Sequence, residues 1–323
     1  MQVHLGLDDT DSLKGGCTTY LAALLVERLS KIEGLTFTDF PGLIRLNPNI
    51  PWKTRGNGAV CLRLRLEVEE ALGEVKEAAL KLLESSQVEG EPGLAIYLGE
   101  TVPESLKALA WKAEWTVVEA GEALKVLQGL GGEAYMPHGG RGIVGAVASI
   151  GETLEGDHTY ELLAYRKPEY WGTPRKVDPE SVKEVDRLFK GETFGNIDSE
   201  TGRILITPRG PDPVLFGVRG ESFKGVVEAA RRLHLGEPVE RWMVFRSNQG
   251  TDAHFKGVLP IGRIPPYSAV VVEGRVSQPP QTLPGGHVLF KVEDGSGKLD
   301  CAVYEPTGRL TEVASQLAVG DLV

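Results

Sequence analysis

Three carboxylates, Asp8, Asp9 and Asp11, stand close together near the start of the chain, in Gly6-Leu7-Asp8-Asp9-Thr10-Asp11-Ser12. Ahead of them, Val3, Leu5 and Leu7 alternate as in a short strand. Behind them come a glycine-bearing loop, Leu13-Lys14-Gly15-Gly16, and a helix expected to begin near Cys17-Thr18-Thr19. Carboxylates at a strand end can hold a hard cation through oxygen. Loop amides and a helix N-terminus can hold phosphate oxygens. A single acid here would read as a helix cap. Three packed together repel one another and need a cation or a strong hydrogen-bond field. The stretch is therefore expected to be a metal-phosphate site.

Other stretches offer chemistry with less specificity. Thr54-Arg55-Gly56-Asn57-Gly58 joins a guanidinium to two glycines before a strand, which suits phosphate binding or a simple turn. His138-Gly139-Gly140-Arg141-Gly142-Ile143-Val144-Gly145 lets a ligand or another backbone come close. Arg166, Lys167, Tyr170, Trp171, Arg175 and Lys176 interleave cations with aromatic rings. Such a run suits single-stranded RNA, or is a solvated loop. Phe194-Gly195-Asn196-Ile197-Asp198 and Arg246-Ser247-Asn248-Gln249-Gly250-Thr251-Asp252 are polar segments beside strands, and the second could meet a ligand at a strand end. The histidines show no metal spacing, and Cys17, Cys61 and Cys301 are too scattered for a disulfide framework or zinc knuckle.

Three textures must position these groups. Residues 1–132 read as an α/β layer, with strands at 35–47, 59–67 and 93–97 and helices at 69–84, 103–114 and 119–129. Gly129 to Gly132 reads as a joint. Residues 133–258 read as an α+β layer, with strands at 143–150, 158–166, 204–207, 214–218 and 241–245. Its helices carry clear end signals: Asp178 with Pro179, and Ser222. Residues 259–323 suggest a small β-barrel of the OB type, with strands at 269–276, 287–293 and 299–304. A further strand is expected to start at 320–323, so the barrel is expected to be cut short.

The chain has 323 residues, 41% hydrophobic and 25% charged, which fits a globular protein of two or three domains. Its net charge of −10 excludes a uniformly basic coat but not a local basic groove. No apolar run approaches a membrane span and the start lacks a signal pattern, so a cytoplasmic protein is expected.

Taken in order along the chain, these stretches resemble the archaeal tRNA-isoleucine 2-agmatinylcytidine synthetases. The resemblance is carried by Gly6 to Ser12 with Cys17-Thr18-Thr19-Tyr20, Ile44-Arg45-Leu46-Asn47-Pro48, Thr54 to Val60, Arg141 to Ala146 and Arg246 to His254. It implies a kinase-like domain at 1–132 binding ATP and Mg²⁺, a ferredoxin-like domain at 133–258 and an incomplete OB-fold at 259–323. The family's zinc ribbon is missing, so zinc is not expected. The implied reaction attaches agmatine to C2 of the wobble cytidine of isoleucine tRNA with a CAU anticodon, so that AUA is read instead of AUG. Phosphorylating the C2 oxygen would create a leaving group for the agmatine amine, with ATP going to AMP and two phosphates. The resemblance puts Mg²⁺ on Asp8, Asp9 and Asp11 and an autophosphorylated threonine at Thr18. It puts ATP phosphates on Gly15, Gly16, Arg55, Gly56, Asn57 and Gly58. Arg141, Gly142, Gly145, Asp198 and Asp252 are the candidates for holding agmatine. The alternatives are an aspartyl-nucleophile phosphotransferase or phosphatase, which predicts a phospho-aspartate, and a non-catalytic RNA-binding module, which predicts no ATP turnover.

Overall fold

The alternation of Val3, Leu5 and Leu7 does make a strand, β1 (Gln2–Asp8), with those three side chains fully buried. The computed structural model describes residues 1–85, 90–255 and 257–323. They form two compact units, Met1–Ala253 and His254–Val323.

In the first unit, β1 leads into a tiny hairpin of β2 (Asp11–Ser12) and β3 (Gly15–Gly16), then α1 (Thr18–Leu29). Next come β4 (Leu35–Phe37), β5 (Gly42–Arg45), β6 (Gly58–Leu66), α2 (Ala71–Ser85), β7 (Gly93–Leu98), α3 (Glu104–Ala113), α4 (Ala120–Gly129), β8 (Glu133–Tyr135) and α5 (Ile143–Gly151). The chain continues through β9 (Thr159–Arg166), α6 (Pro179–Leu188), β10 (Thr193–Phe194), β11 (Val214–Gly220), α7 (Phe223–Arg231) and β12 (Val239–Ser247). One mixed sheet results, in the order β10-β11-β9-β12-β5-β6-β1-β7-β8, with β4 beside β6. Among the described strands of this sheet, β12 to β5 is the one parallel join; the other pairs are antiparallel.

Strand alternation sorts the core. Val3, Leu5 and Leu7 face Leu21 and Leu25 of α1 and Val75 and Leu82 of α2, and this cluster runs on to Tyr165 and Phe245. The opposite face of the β5–β8 half packs Ile44, Cys61 and Ala95 against α3, α4 and α5. In the other half, α6 and α7 cover Leu162, Ala164 and Val218. The end signals act as read: Asp178 accepts from the amides of Glu180 and Ser181, and Ser222 from that of Gly225.

Several expectations need correction. Residues 143–150 are a helix, not a strand. A short, wholly apolar run has no period to separate the two. The small side chains decide it, because α5 lies directly on β1: a Cβ on Gly6 would come within 1.8 Å of the Ala146 carbonyl oxygen. The stretch 35–47 is broken into β4 and β5. Residues 204–207 make only a bridge, Ile204 to Ile197. Just after Gly129 to Gly132, β8 pairs with β7.

The second unit contains β13 (Arg275–Thr282), β14 (Val288–Glu293) and β15 (Lys298–Val303) as an antiparallel sheet, then α8 (Arg309–Ser315). The expected strand at 269–276 begins instead at Arg275 and takes in Pro279-Pro280, with register shifts around the prolines. The expected strand at 320–323 is a single bridge, Leu322 to Arg275. Among the described residues no helix is long and apolar enough to cross a membrane.

Candidate active site

The end of β1 and the hairpin after it set out the acids. Asp9 takes a left-handed backbone (φ 55°), and its amide donates to Oδ1 of Asp8 at 2.7 Å. Its own Oδ2 accepts from the Glu91 amide, 2.9 Å away. The β2–β3 turn presents Asp11 to Arg55, whose Nη2 donates to Oδ2 of Asp11 at 2.5 Å and to the Gly16 carbonyl at 2.9 Å. Nη1 of Arg55 is buried without a partner. Thr18 opens α1, and its Oγ1 accepts from the Thr10 amide at 3.3 Å and the Thr10 hydroxyl at 3.2 Å.

The first turn of α5 closes over Asp8 and Asp9. A Cβ on Gly145 would stand 1.9 Å from Oδ2 of Asp8, and one on Gly142 2.9 Å from Cβ of Asp9. Burial, then the neighbouring charge of Asp9, pushes Asp8 up to about 8. Burial also raises Asp9, against the hydrogen bond from Glu91. Asp11 is raised by burial too, although Arg55 opposes it. Arg55 thus offsets the charge of Asp11 and Arg141 in smaller part that of Asp9, whereas no cation is among the causes at Asp8.

These groups line a cavity of about 450 Å³ in the first unit. Asp8, Asp9, Asp11, Thr18, Arg55, Gly56, Asn57, Gly58, Arg141, Gly142 and Gly145 all reach it, so the N-terminal motif, the Arg55 loop and the Arg141 stretch converge. Asn57 sits in the left-handed region (φ 45°) and ties its side chain to the Asn47 carbonyl at 2.7 Å. The Arg141 guanidinium lies 4.2 Å from the Trp52 ring centre, and the Arg141 amide donates to Glu91 at 3.1 Å.

Other expected residues fall elsewhere. Gly15 and Gly16 do not line the cavity; they close the hairpin that turns Asp11 toward Arg55. Asp11 is committed to Arg55, and among the described residues no group of three or more His, Cys, Asp or Glu takes a metal-holding arrangement. Among the described residues the three acids thus form no ready-made metal cage, with Asp11 hydrogen-bonded to Arg55. Asp198 and Asp252 are outside the cavity; the Asp198 carboxylate accepts from the amides of Glu200 and Thr201 in its own turn.

The basic-aromatic run divides. Arg166 is fully buried against Glu237 at 2.7 Å, and Arg175 is spent on the carbonyls of Pro208, Gly210, Asp212 and Val214 and the Asp212 carboxylate. Neither is available to RNA, because each guanidinium is consumed in holding the fold. Lys167 and Lys176 are exposed, Tyr170 is half-buried, and Trp171 is partly exposed with its ring edge-on to Tyr20.

Sequence reasoning assigned no role to Glu91, Trp52, Glu161 and Arg219, all of which line the cavity, nor to Arg45 beside them. A signal existed for Glu161: a lone carboxylate within the apolar strand Tyr160-Glu161-Leu162-Leu163. Within the polar segment at 246–252, Asn248 forms a seam. Asn248 accepts from the Arg45 amide at 2.7 Å and donates to the Arg45 carbonyl and to Glu114, both at 3.0 Å.

Two family models match the chain, the TiaS TCKD domain over residues 4–76 and the TiaS FLD domain over 140–254. The isoleucine-tRNA 2-agmatinylcytidine synthetase TiaS of Pyrococcus horikoshii is 45% identical over 327 residues, spanning all of this chain and 76% of that protein. That of Thermococcus sibiricus is 42% identical over 325 residues, spanning 99% of this chain and 74% of the relative. Among solved structures, a complex of TiaS with isoleucine tRNA and ATP superposes with a TM-score of 0.91 at 37% identity, over all of this chain and 76% of the other. A complex of TiaS with isoleucine tRNA, AMPCPP and agmatine gives 0.89 at 36% identity, over all of this chain and 78% of the other.

Proposed function

Because the chain belongs to the isoleucine-tRNA 2-agmatinylcytidine synthetase family, we infer that it is a ligase that uses ATP to attach agmatine to C2 of the wobble cytidine of isoleucine tRNA. The carrying observation is the convergence of Asp8, Asp9, Thr18 and the unpartnered Nη1 of Arg55 on one cavity.

The cytidine C2 oxygen is a poor leaving group, and its phosphorylation gives one that the agmatine amine displaces. Phosphoryl transfer asks a protein for positioning and charge neutralisation more than for covalent help. Mg²⁺ is commonly held by one or two carboxylates together with phosphate oxygens. The Asp8–Asp9 pair fits that donor set, since burial raises both carboxyls and a cation would relieve them. Bound there, Mg²⁺ would neutralise charge on the ATP phosphates. Arg55 donates to a phosphate oxygen through Nη1 while Asp11 orients it. Thr18 is the phosphoryl acceptor of the self-modification step. Two hydrogen bonds from Thr10 fix its oxygen, and the start of α1 tolerates the added negative charge. Arg141, Gly142 and Gly145 border the same cavity as Asp8 and Asp9, which supports agmatine lying along that wall. The amine, with a lysine-like pKa of about 10.4, must shed a proton before it attacks.

For the domains we propose a kinase-like layer at 1–132, a ferredoxin-like layer at 133–258 and an OB-fold at 259–323. The order β10-β11-β9-β12 with α6 and α7 on one face supports the second, and the antiparallel β13–β15 sheet supports the third. Helix α5, though in the second segment, packs on β1 of the first. Lys167, Tyr170, Trp171 and Lys176 are the part of the basic-aromatic run that remains for tRNA. The cytoplasm, where tRNA is found, is the proposed compartment. No observation favours an aspartyl nucleophile or a non-catalytic RNA module.

The test is to incubate the chain with ATP, Mg²⁺, agmatine and isoleucine tRNA and to analyse the digested nucleosides by mass spectrometry. An agmatine-bearing cytidine should appear only with both small substrates present, and not with Asp8→Ala. Its absence with folded parent protein would overturn the assignment.

A further inference from the structure

A second set of charges lines the same cavity. Glu161 on β9 is 2% exposed, and two arginines share its carboxylate. Nη2 of Arg45 on β5 donates to Oε2 at 2.8 Å, and Nε of Arg219 on β11 to Oε1 at 3.2 Å. Burial alone would raise the Glu161 carboxyl, but the two guanidiniums outweigh it and hold it below its ordinary range. It therefore stays ionised, and the trio carries one surplus positive charge.

An ion pair that served only to tie β5 to β9 would need one arginine. The second is surplus for that purpose, and both face the cavity with 20% and 29% of their side chains exposed. Nε of Arg45 is buried without a partner. Its Nη1 lies close under the loop at Gly56 and Gly58, where a Cβ would come within 3.2 and 3.1 Å. Those glycines thus admit a guanidinium as well as bordering the cavity. Planar donors held by a buried carboxylate are suited to a tetrahedral oxyanion.

We propose that Arg45 and Arg219, held in place by Glu161, form a phosphate subsite separate from the Arg55 position. Arg45 and Arg219 contact the phosphate, and Glu161 is a positioning residue. The subsite rests on the proposed function for the source of its ligand, which is either a nucleotide phosphate of ATP or a phosphodiester beside the target cytidine.

Binding of ATP by calorimetry, and of an isoleucine anticodon stem-loop RNA across a salt series, separates these sources. Arg219→Gln should weaken one of the two about tenfold. In the RNA arm, the slope of log K against log salt should fall by about 0.7 for the lost single-strand phosphate contact. Glu161→Gln should weaken the same ligand while leaving the other unchanged, and Arg219→Lys should restore part of the affinity. A loss confined to ATP assigns the subsite to the nucleotide, and a loss confined to RNA assigns it to the backbone. If Arg219→Gln melts like the parent and binds both ligands as the parent does, the subsite is overturned alone. If the folded parent binds neither ligand, the function and the subsite fall together. Should Glu161→Gln fail to fold, Arg219→Gln and Arg219→Lys still decide the matter, because Arg219 is part-exposed.

Discussion

Asp8 concentrates the conflict in the site. Its pKa is pushed to about 8 from an ordinary 3.8, so the folded chain binds a proton there that the unfolded chain releases. Between those values the unfolded state holds fewer protons, and stability falls as pH rises from about 4 to about 8. Asp8→Asn should flatten that limb, though not abolish it, because Asp9 and Asp11 are also raised. At pH 8 it should gain on the order of a few kcal/mol while losing activity. Urea midpoints at pH 5, 7 and 9 measure this, and an equal slope in the variant would contradict the assignment. Thr18 supplies a chemical check. With γ-labelled ATP and Mg²⁺ but no tRNA, acid-stable label should appear on the parent and be lost in Thr18→Ala. Thr10→Val removes one of the two donors to Thr18 Oγ1 and should slow labelling severalfold.

Helix α5 turns two small residues into a constraint on chemistry. Replacing Gly by Ala within a helix ordinarily gains up to about 1 kcal/mol. At Gly145 the added Cβ would meet Oδ2 of Asp8 at 1.9 Å, so the clash dominates and either the helix or the carboxylate must move. Gly145→Ala should therefore lower the melting temperature and cut turnover at least tenfold. A variant that is more stable and fully active would show that α5 does not press on Asp8. The β12–β5 join is held in part by Asn248. Asn248→Ala would remove three hydrogen bonds, to the Arg45 amide and carbonyl and to Glu114, at a cost on the order of 2 kcal/mol, readable as a shift in the urea midpoint.

Within the first unit, the site belongs to the sheet as a whole. The cavity is lined by residues from Asp8 to Arg219, all inside Met1–Ala253. A fragment ending at Ala253 should fold cooperatively and bind ATP as the full chain does; a fragment that binds tenfold more weakly would place part of the nucleotide site elsewhere. The Arg166–Glu237 pair belongs to the same framework, with both side chains essentially unexposed. Breaking a buried pair leaves an uncompensated charge, and Glu237→Ala should cost about 3–5 kcal/mol by calorimetric or urea unfolding.

The local features were legible in the sequence because their physics is local. The strand carrying Val3, Leu5 and Leu7, the caps at Asp178 and Ser222, and the crowding of Asp8, Asp9 and Asp11 all follow from neighbours within a few residues. Contacts across the chain decided the rest. Residues 143–150 became a helix because Gly6 on β1 leaves room for its backbone, which no period in an apolar run can reveal. Asp11 is paired with Arg55 because a turn brought the two together. Arg166 and Arg175 looked like RNA ligands until Glu237 and the carbonyls of residues 208–214 consumed their donors. Glu161 gained two arginines from strands 116 and 58 residues away. Composition and spacing name the groups a chain carries, but which charge meets which is set by pairing across the sheet, where burial makes an unmatched charge costly and so fixes its partner.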